Sequence, residues 1–312
     1  MSESNGYIVG IGAANVDLYV TSQIPLKTHY DHPSLIKSSV GGVTANILFN
    51  LALLEIPVRL ISVTGDDAFG EMIRKETAAA GMEISGVLTL RNSSSSIFMQ
   101  VMDDNREMQY AFCDMSINKA ITPEYLRSQK SILDQASAIL FDPSLSEDTL
   151  TFLCENYQDR KLLLDPVSAE YARRIKPYLP CIYAIKPNES ELAVLSGMEI
   201  KTDEDIRKAS AELIRQGVRK VYATLGKNGC FYMDENTSVF NRRPPLKNIV
   251  NTSGAGDSFF AGVIYGMING LPVKETLQIG QCAAELTIQS DSSINSALSI
   301  DSIYTHMKKA EE

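Results

Sequence analysis

Short β-branched runs that alternate with helix-patterned stretches constrain this chain more than any other feature. They begin with Tyr7 to Ile11, a helix from Thr44 to Leu54, Val58 to Val63, and a helix from about Ala68 to Ala80. The alternation continues through Ala138 to Phe141, Lys161 to Leu164, Ile182 to Ile185 and Lys220 to Thr224, each followed by a helical stretch. Repeated strand–helix units predict an α/β fold with a mostly parallel sheet covered by helices on both faces. Two segments, about 15–38 and 93–113, are strand-like without helices, the second turning at Asp103-Asp104-Asn105. Together they predict a small antiparallel sheet beside the main domain, placed as a lid. From about residue 255 the pattern is helical to the end, with Gly270-Leu271-Pro272 separating two helices. With neither internal repeat nor low-complexity linker, residues 1–312 read as a single domain carrying a β lid.

Composition narrows the partners. A chain of 312 residues, 44% hydrophobic and 21% charged, has enough apolar material for one large core. Its net charge of −9 without a basic cluster makes nucleic acid and anionic membrane poor partners, while one polyanionic nucleotide can still be held locally. Apolar runs fall far short of a membrane span, and Met1 to Asn5 lack the regions of a signal peptide. A cytoplasmic protein is expected. Cys113, Cys154, Cys181, Cys230 and Cys282 are scattered and odd in number, so reduced and mostly buried thiols are expected.

Asn251-Thr252-Ser253-Gly254-Ala255-Gly256-Asp257 places two glycines and a carboxylate at the start of a helix running to about Asn269. Amides in a first helical turn lack intrahelical acceptors and, with the helix dipole, favour an anion; glycine lets the main chain approach it. Asp257 would repel a phosphate unless it had another task, and accepting a proton from an attacking hydroxyl is that task. An ordinary glycine-rich helix start with a capping Asp is the alternative.

Other segments carry weaker signals. Gly41-Gly42 and Asn46 sit at another helix start, where a polar ligand or a simple tight turn fits equally. Asn15 and Asp17 follow the first strand, at the end where open α/β sheets bind ligands. Asn188 and Glu191 have capping-box spacing, yet could also hold water around Mg²⁺. Thr224, Gly226 and Gly229 lie between two strands, Lys220 to Thr224 and Cys230 to Met233, as turn formers or as amides meeting a nucleotide. Gly65 to Gly70 has P-loop glycine spacing, but Glu71 stands where Lys is needed, so it reads as a helix entry. His29 and His32 lack the companions of a zinc site, and His306 lies far away in sequence.

Taken together, Gly41-Gly42 with Asn46, Asn188-x-x-Glu191 and Gly254-Ala255-Gly256-Asp257 resemble the ribokinase-like, or PfkB-type, family of small-molecule kinases along nearly the whole chain. Three segments resemble its pseudouridine-kinase branch: Cys113 to Ile117 with Ala120 to Leu126, Asp165 to Ala169, and Val250 to Gly254. The resemblance implies a three-layer sandwich and ATP-dependent phosphorylation of the 5′-hydroxyl of pseudouridine, with Mg²⁺. It implies that Asp257 is the base and that Gly254, Ala255 and Gly256 form an anion hole. Asp17, Gly41, Gly42 and Asn46 match sugar-binding positions, with Asn15 nearby. Asn188 and Glu191 match the motif that organises Mg²⁺ and phosphate, Glu191 through water. Thr224, Gly226 and Gly229 match the nucleotide loop, and the helix around Ala283 and Ala284 would border adenine.

Asn251 stands where the family usually carries Asp, so a K⁺ requirement does not carry over, and Cys113 replaces an often polar residue. Asp114, with Ser116, is expected to read the base, because pseudouridine frees an N1–H donor that needs an acceptor. The family's lid sheets often pair, so a homodimer through the lid is expected. Two alternatives remain: a kinase of the same fold acting on ribose, fructose or an ordinary nucleoside, and a ligand-binding regulator without chemistry. The intact Asp257 and its glycines argue against the regulator.

Overall fold

The computed structural model describes residues 6–243, 246 and 249–309; Met1 to Asn5, read above for the absence of a signal peptide, lie outside them. Thirteen strands follow the chain in order. They are β1 (Ile8–Ile11), β2 (Asn15–Ser22), β3 (Ser34–Gly41), β4 (Val58–Gly65), β5 (Glu83–Leu90), β6 (Ile97–Met102) and β7 (Met108–Asp114). Then come β8 (Ala138–Phe141), β9 (Lys161–Leu164), β10 (Ala184–Ile185), β11 (Lys220–Thr224), β12 (Cys230–Met233) and β13 (Ser238–Asn241).

Nine strands form the central sheet in the order β13-β12-β11-β10-β9-β8-β1-β4-β5. All pairings from β5 to β11 are parallel, while β12 and β13 return antiparallel. Side chains of β1, β8 and β9 are buried on both faces, which is why those segments read as unbroken apolar runs. On one face Leu48, Leu51, Phe260 and Ile264 pack over Ile8, Leu60 and Leu140. On the other, Leu153, Ile175, Leu192 and Leu213 pack over Val9, Ile139 and Leu162. The result is the expected three-layer sandwich.

Two details differ from the sequence reading. Lys220–Thr224 is followed not by a helix but by the single turn Gly226–Asn228 and the return strand β12. The half-buried strand β5 was not anticipated, because its mixture of polar and apolar residues lacks the apolar run of a central strand.

The second sheet, β3-β2-β6-β7, is the small sheet expected as a lid. Its outer pairings are antiparallel and the middle one, β2 with β6, is parallel, since β6 arrives only after the excursion through β4 and β5. Register gives the lid two faces. One carries Asn15, Asp17, Tyr19, Ser39, Phe98, Gln100 and Cys113; the other carries Val16, Leu18, Val40, Ile97, Phe112 and Asp114. Val16, Leu18 and Val40 root the second face in the apolar cluster that includes Ile73, Phe69 and Met72 of the helix Ala68–Ala79. The first face therefore looks toward the mouth of the main sheet.

The central sheet reverses its order at β1, with β4 on one side and β8 on the other, and a crevice opens beyond the carboxyl ends there. Asp142, just past β8, fixes this corner. Its buried carboxylate accepts hydrogen bonds from Ala13 N (3.0 Å), Thr44 Oγ1 (2.6 Å) and Ser144 N (2.8 Å). One side chain thus ties the loop after β1 to the helix Val43–Leu53.

Gly65 to Gly70 is a helix entry, as read: Asp67 caps the helix by accepting from Gly70 N and is itself held by Ser95. The thiol expectation is corrected. Cys154 and Cys181 pair as a disulfide between the helix Glu147–Tyr157 and the turn Lys176–Cys181, two elements that the sheet brings into contact. Among the described residues no helix is long and apolar enough to cross a membrane.

Candidate active site

The helix Ala255–Ile268 starts where the sequence placed it, with Gly254 as N-cap in a left-handed conformation at φ 77°. A side chain is impossible there on two counts: the backbone is strained for other residues, and a Cβ would lie 1.9 Å from Ser293 O. Asp257 is the third residue of the helix, near the positive end of its dipole. It is buried, and Asn46 Nδ2 donates to its Oδ2 at 2.8 Å. Asn46 in turn sits in the first turn of the helix Val43–Leu53, which packs directly against Ala255–Ile268. Both glycine-marked helix starts therefore converge on one carboxylate.

On the small sheet, Asn15 donates to Asp17 Oδ1 at 2.6 Å and the Tyr19 hydroxyl to Asp17 Oδ2 at 3.3 Å. Gly41 allows this approach, since a Cβ on it would come within 2.2 Å of the Asp17 carboxylate. Burial raises the Asp17 carboxyl to about 6, against the opposing hydrogen bonds from Asn15 and Tyr19. Tyr19 and Ser293 are functional candidates the sequence reading missed. The Tyr19 hydroxyl lies beside Ser39 and Ser293, and Ser293 abuts Gly254, so the lid and the helix start meet there.

A second missed element is a sealed ion pair. Lys186 Nζ faces Asp165 Oδ2 at 3.0 Å, each side chain at most 6% exposed. Lys186 Nζ also lies 2.9 Å from where a Gly256 Cβ would stand, which puts the ammonium against the glycine turn. Burial alone would lower its pKa; the charges of Asp165, Glu191 and Asp257 outweigh that and hold it above the ordinary lysine value. Both residues follow the carboxyl ends of parallel strands, β9 and β10, a positional signal that could have found them. Nearby Val167 holds φ 66°, a conformation that a β-branched residue rarely adopts, with its amide bonded to Asp165 Oδ1.

Burial pushes the Asp257 carboxyl up to about 7. Repulsion from Asp165 and Asp17 adds to the rise, while Asn46 and Lys186 oppose it. The carboxyl is thus held well above the ordinary carboxylate range.

Asn188 and Glu191 form the capping box. Asn188 Oδ1 accepts from Glu191 N at 2.9 Å, while Glu191 accepts from Asn188 N at 2.9 Å and from Asn188 Nδ2 at 2.8 Å. Burial raises the Glu191 carboxyl, partly countered by Lys186. Beyond this box a cleft of about 590 Å³ is lined by Asn188, Thr224, Gly226, Gly229, Ala255, Gly256 and Ala284, seven of the expected residues. Ala283 instead belongs to the core beneath. Asn251 accepts from Ser253 N, and its amide reaches Asp291 O at 3.5 Å, so it shapes the approach to Gly254.

The far wall of the cleft holds a network that sequence spacing hid. Glu285 binds Arg243 at 3.4 Å and His306 at 2.8 Å, and receives Gln281 Nε2 at 3.1 Å. Cys282, Glu285 and His306 form a group with metal-ligand atoms within 4.8 Å of one another, yet Arg243 donates to Cys282 as well as pairing with Glu285. A guanidinium therefore already supplies the positive charge.

Asp114 departs from expectation. It pairs in register with Ile97, on the face opposite Asp17, and is exposed, with its carboxylate turned back to accept from Ser116 N. Strand parity sets it apart from Asp17.

The three-layer sandwich with its second small sheet is a ribokinase-like fold. The family described as pfkB family carbohydrate kinase matches residues 5–300, and the chain belongs to it. The chain is 30% identical over 305 residues to pseudouridine kinase of Escherichia coli strain K12, covering 98% of this chain and 97% of that one. It is 28% identical over 286 residues to guanosine-inosine kinase of Exiguobacterium acetylicum, covering 91% and 94%. The structure of Arabidopsis thaliana ribokinase complexed with ribose and ATP superposes with a TM-score of 0.84 at 24% identity, covering 97% and 99%. That likeness carries the fold.

An unfolded aspartate titrates near about 3.9, well below the folded Asp257, so ionisation of this group opposes folding. Its destabilising effect is small below about pH 4, grows as pH rises, and is complete above the folded value. Asp257→Asn is expected to raise Tm, and by more at about pH 8 than at about pH 5. Calorimetry at the two pH values checks this; an equal difference at both contradicts the burial of an ionisable Asp257.

Proposed function

We propose that the protein is a pseudouridine kinase, transferring the γ-phosphoryl group of ATP to the 5′-hydroxyl of pseudouridine. The observation that carries the phosphotransfer reading is Asp257. It is buried at the first turn of a glycine-started helix, held by Asn46, with Asp17 on its acceptor side and the nucleotide-sized cleft on the other. The choice of pseudouridine is supported by the full-length similarity to the E. coli enzyme and by the branch-specific segments Cys113 to Ile117, Asp165 to Ala169 and Val250 to Gly254.

In this reading Asp17, Asn15, Gly41, Gly42 and Asn46 hold the ribose, and Asp257 orients the 5′-oxygen. As an acceptor far weaker than an alkoxide, Asp257 takes the proton late, when the oxygen has become acidic through bond formation. Amides of Gly254, Ala255 and Gly256, with Lys186 against the turn, stabilise charge on the transferred phosphoryl oxygens. Thr224, Gly226, Gly229 and Ala284 border the ATP. The lid covers the sugar and excludes water, the competing nucleophile.

The residues present fit Mg²⁺. Asp165, Glu191 and Asp257 place three buried carboxylates around one ammonium, leaving negative charge in excess. Asp165 and Glu191 would hold the ion through water, in keeping with its hard-oxygen preference. When bound, Mg²⁺ neutralises charge on the phosphate oxygens.

The lid also supports a homodimer. Ile36, Tyr110 and Phe112 are exposed on its outer face, with Tyr110 and Phe112 stacked at 6.2 Å. Ile36→Lys together with Phe112→Lys is expected to convert a dimer to a monomer by sedimentation velocity. A wild-type monomer removes the dimer.

ADP release with ATP and Mg²⁺ is expected to be fastest with pseudouridine among pseudouridine, uridine, cytidine, adenosine, ribose and fructose at equal concentration. Preference for another acceptor keeps a kinase and overturns the substrate; silence on every acceptor overturns the chemistry. Asp257→Asn and Lys186→Met are each expected to lower kcat by roughly 10²-fold or more with acceptor affinity nearly intact, in line with general-base and charge-stabilising contributions.

A further inference from the structure

Pseudouridine and uridine share every acceptor-site contact except those along one edge of the base. With the base in the same orientation on the ribose, uridine offers C5–H and C4=O where pseudouridine offers N1–H and C2=O. A side chain that distinguishes them must accept from N1–H, and one that also donates to the neighbouring carbonyl reads the whole edge. Such a group has to lie on the lid face that carries Asp17, within reach of a base attached to a ribose held there.

Register leaves few choices. Along that face the row of Asp17 contains Ser39, Phe98 and Cys113, and the next row outward contains Tyr19, Lys37, Gln100 and Ala111. Tyr19 already engages Asp17, and Ser39 lies against Tyr19. Lys37 offers only donors. Gln100 is half-buried, and among the described residues no side chain or backbone group bonds its amide. Its neighbour across the strand pair is Ala111, which leaves space beside it, and Phe98 one row inward supplies an apolar surface for a ring. Cys113 lies on the same face, in the row of Asp17 and Phe98.

Resting on the pseudouridine reading above, we propose that this inner lid face takes the base. Gln100 reads the N1–H and C2=O edge, Phe98 and Cys113 line the same subsite, and Asp114 takes no part. The Gln100 carbonyl accepts from N1–H and its amide donates to the carbonyl oxygen. With uridine the amide bond survives, but the Gln100 carbonyl meets a C–H and loses its partner. An acceptor buried without a donor is disfavoured enough to give roughly ten- to a hundredfold discrimination.

Two measurements test this together. Cys113 is exposed, whereas Cys230 and Cys282 are buried and Cys154 and Cys181 are joined in a disulfide, so iodoacetamide labelling followed by mass spectrometry reports Cys113. Saturating nucleoside is expected to slow Cys113 labelling severalfold, and ribose is not. Gln100→Met is expected to lower the pseudouridine-to-uridine ratio of kcat/KM by roughly ten- to a hundredfold, while Asp114→Ala leaves it unchanged. An unchanged ratio in Gln100→Met, or a changed one in Asp114→Ala, overturns the assignment of the reader. Absence of Cys113 protection by whichever nucleoside the enzyme prefers overturns the inner face, even if the kinase reading stands. Protection by a preferred nucleoside other than pseudouridine keeps the face and sinks the pseudouridine reading.

Discussion

Asn46 and Asp257 stand 211 positions apart, and the hydrogen bond between their side chains joins the two helix starts on which the site depends. Each helix begins at a glycine that a larger residue could not replace: Gly42 at φ 99° and Gly254 at φ 77°. Between them lies a carboxylate that burial drives toward neutrality and that one amide holds in place. If either helix moved by an ångström, the bond and the relation between acceptor and phosphate would go together. Asp142 serves the same geometry from below, binding Thr44 and the loop after β1 so that Asn15 and Asp17 emerge where the helices converge.

Charge explains why this corner is stable yet reactive. Asp165, Glu191 and Asp257 place three carboxylates around one buried ammonium, Lys186, and Asp17 adds its repulsion at Asp257. The excess negative charge costs stability in the empty protein and is relieved when a divalent cation enters or a proton is taken up. The network of Arg243, Glu285, His306 and Cys282 on the far wall is by contrast already balanced, and so reads as a structural brace of the cleft. The two clusters look alike as lists of ionisable residues; each holds one internal cation, and the number of carboxylates set against it separates them.

Much of the fold was legible because its central strands are buried on both faces and read as short apolar runs between helical patterns. β8, β9, β11 and β12 were placed to the residue, and the glycine-started helix at Ala255 was found within one position. β5 escaped because a half-buried strand with Glu83, Ser85 and Thr89 lacks that signature. The site residues that announce themselves through glycine, namely Gly41, Gly42, Gly254 and Gly256, were legible for the same reason: only glycine tolerates those approaches. Lys186 and Asp165 were not, because a lysine and an aspartate in loops are ordinary until the sheet sets their strand ends side by side. Asp114 misled the reading because face is a matter of register, and the parity of a lid strand cannot be counted until its partner is known.

The central claim is that Asp257, tuned by burial and by Asn46, is the base. The pH dependence of kcat/KM for the acceptor, in wild type and in Asn46→Leu, tests it most directly. The acidic limb in wild type is expected near the folded carboxyl's value of about 7, with the rate rising as pH increases through it. Loss of the Asn46 hydrogen bond, which favours the charged form, should move the limb upward. A wild-type limb at an ordinary carboxylate value, or one that Asn46→Leu leaves in place, would contradict the account.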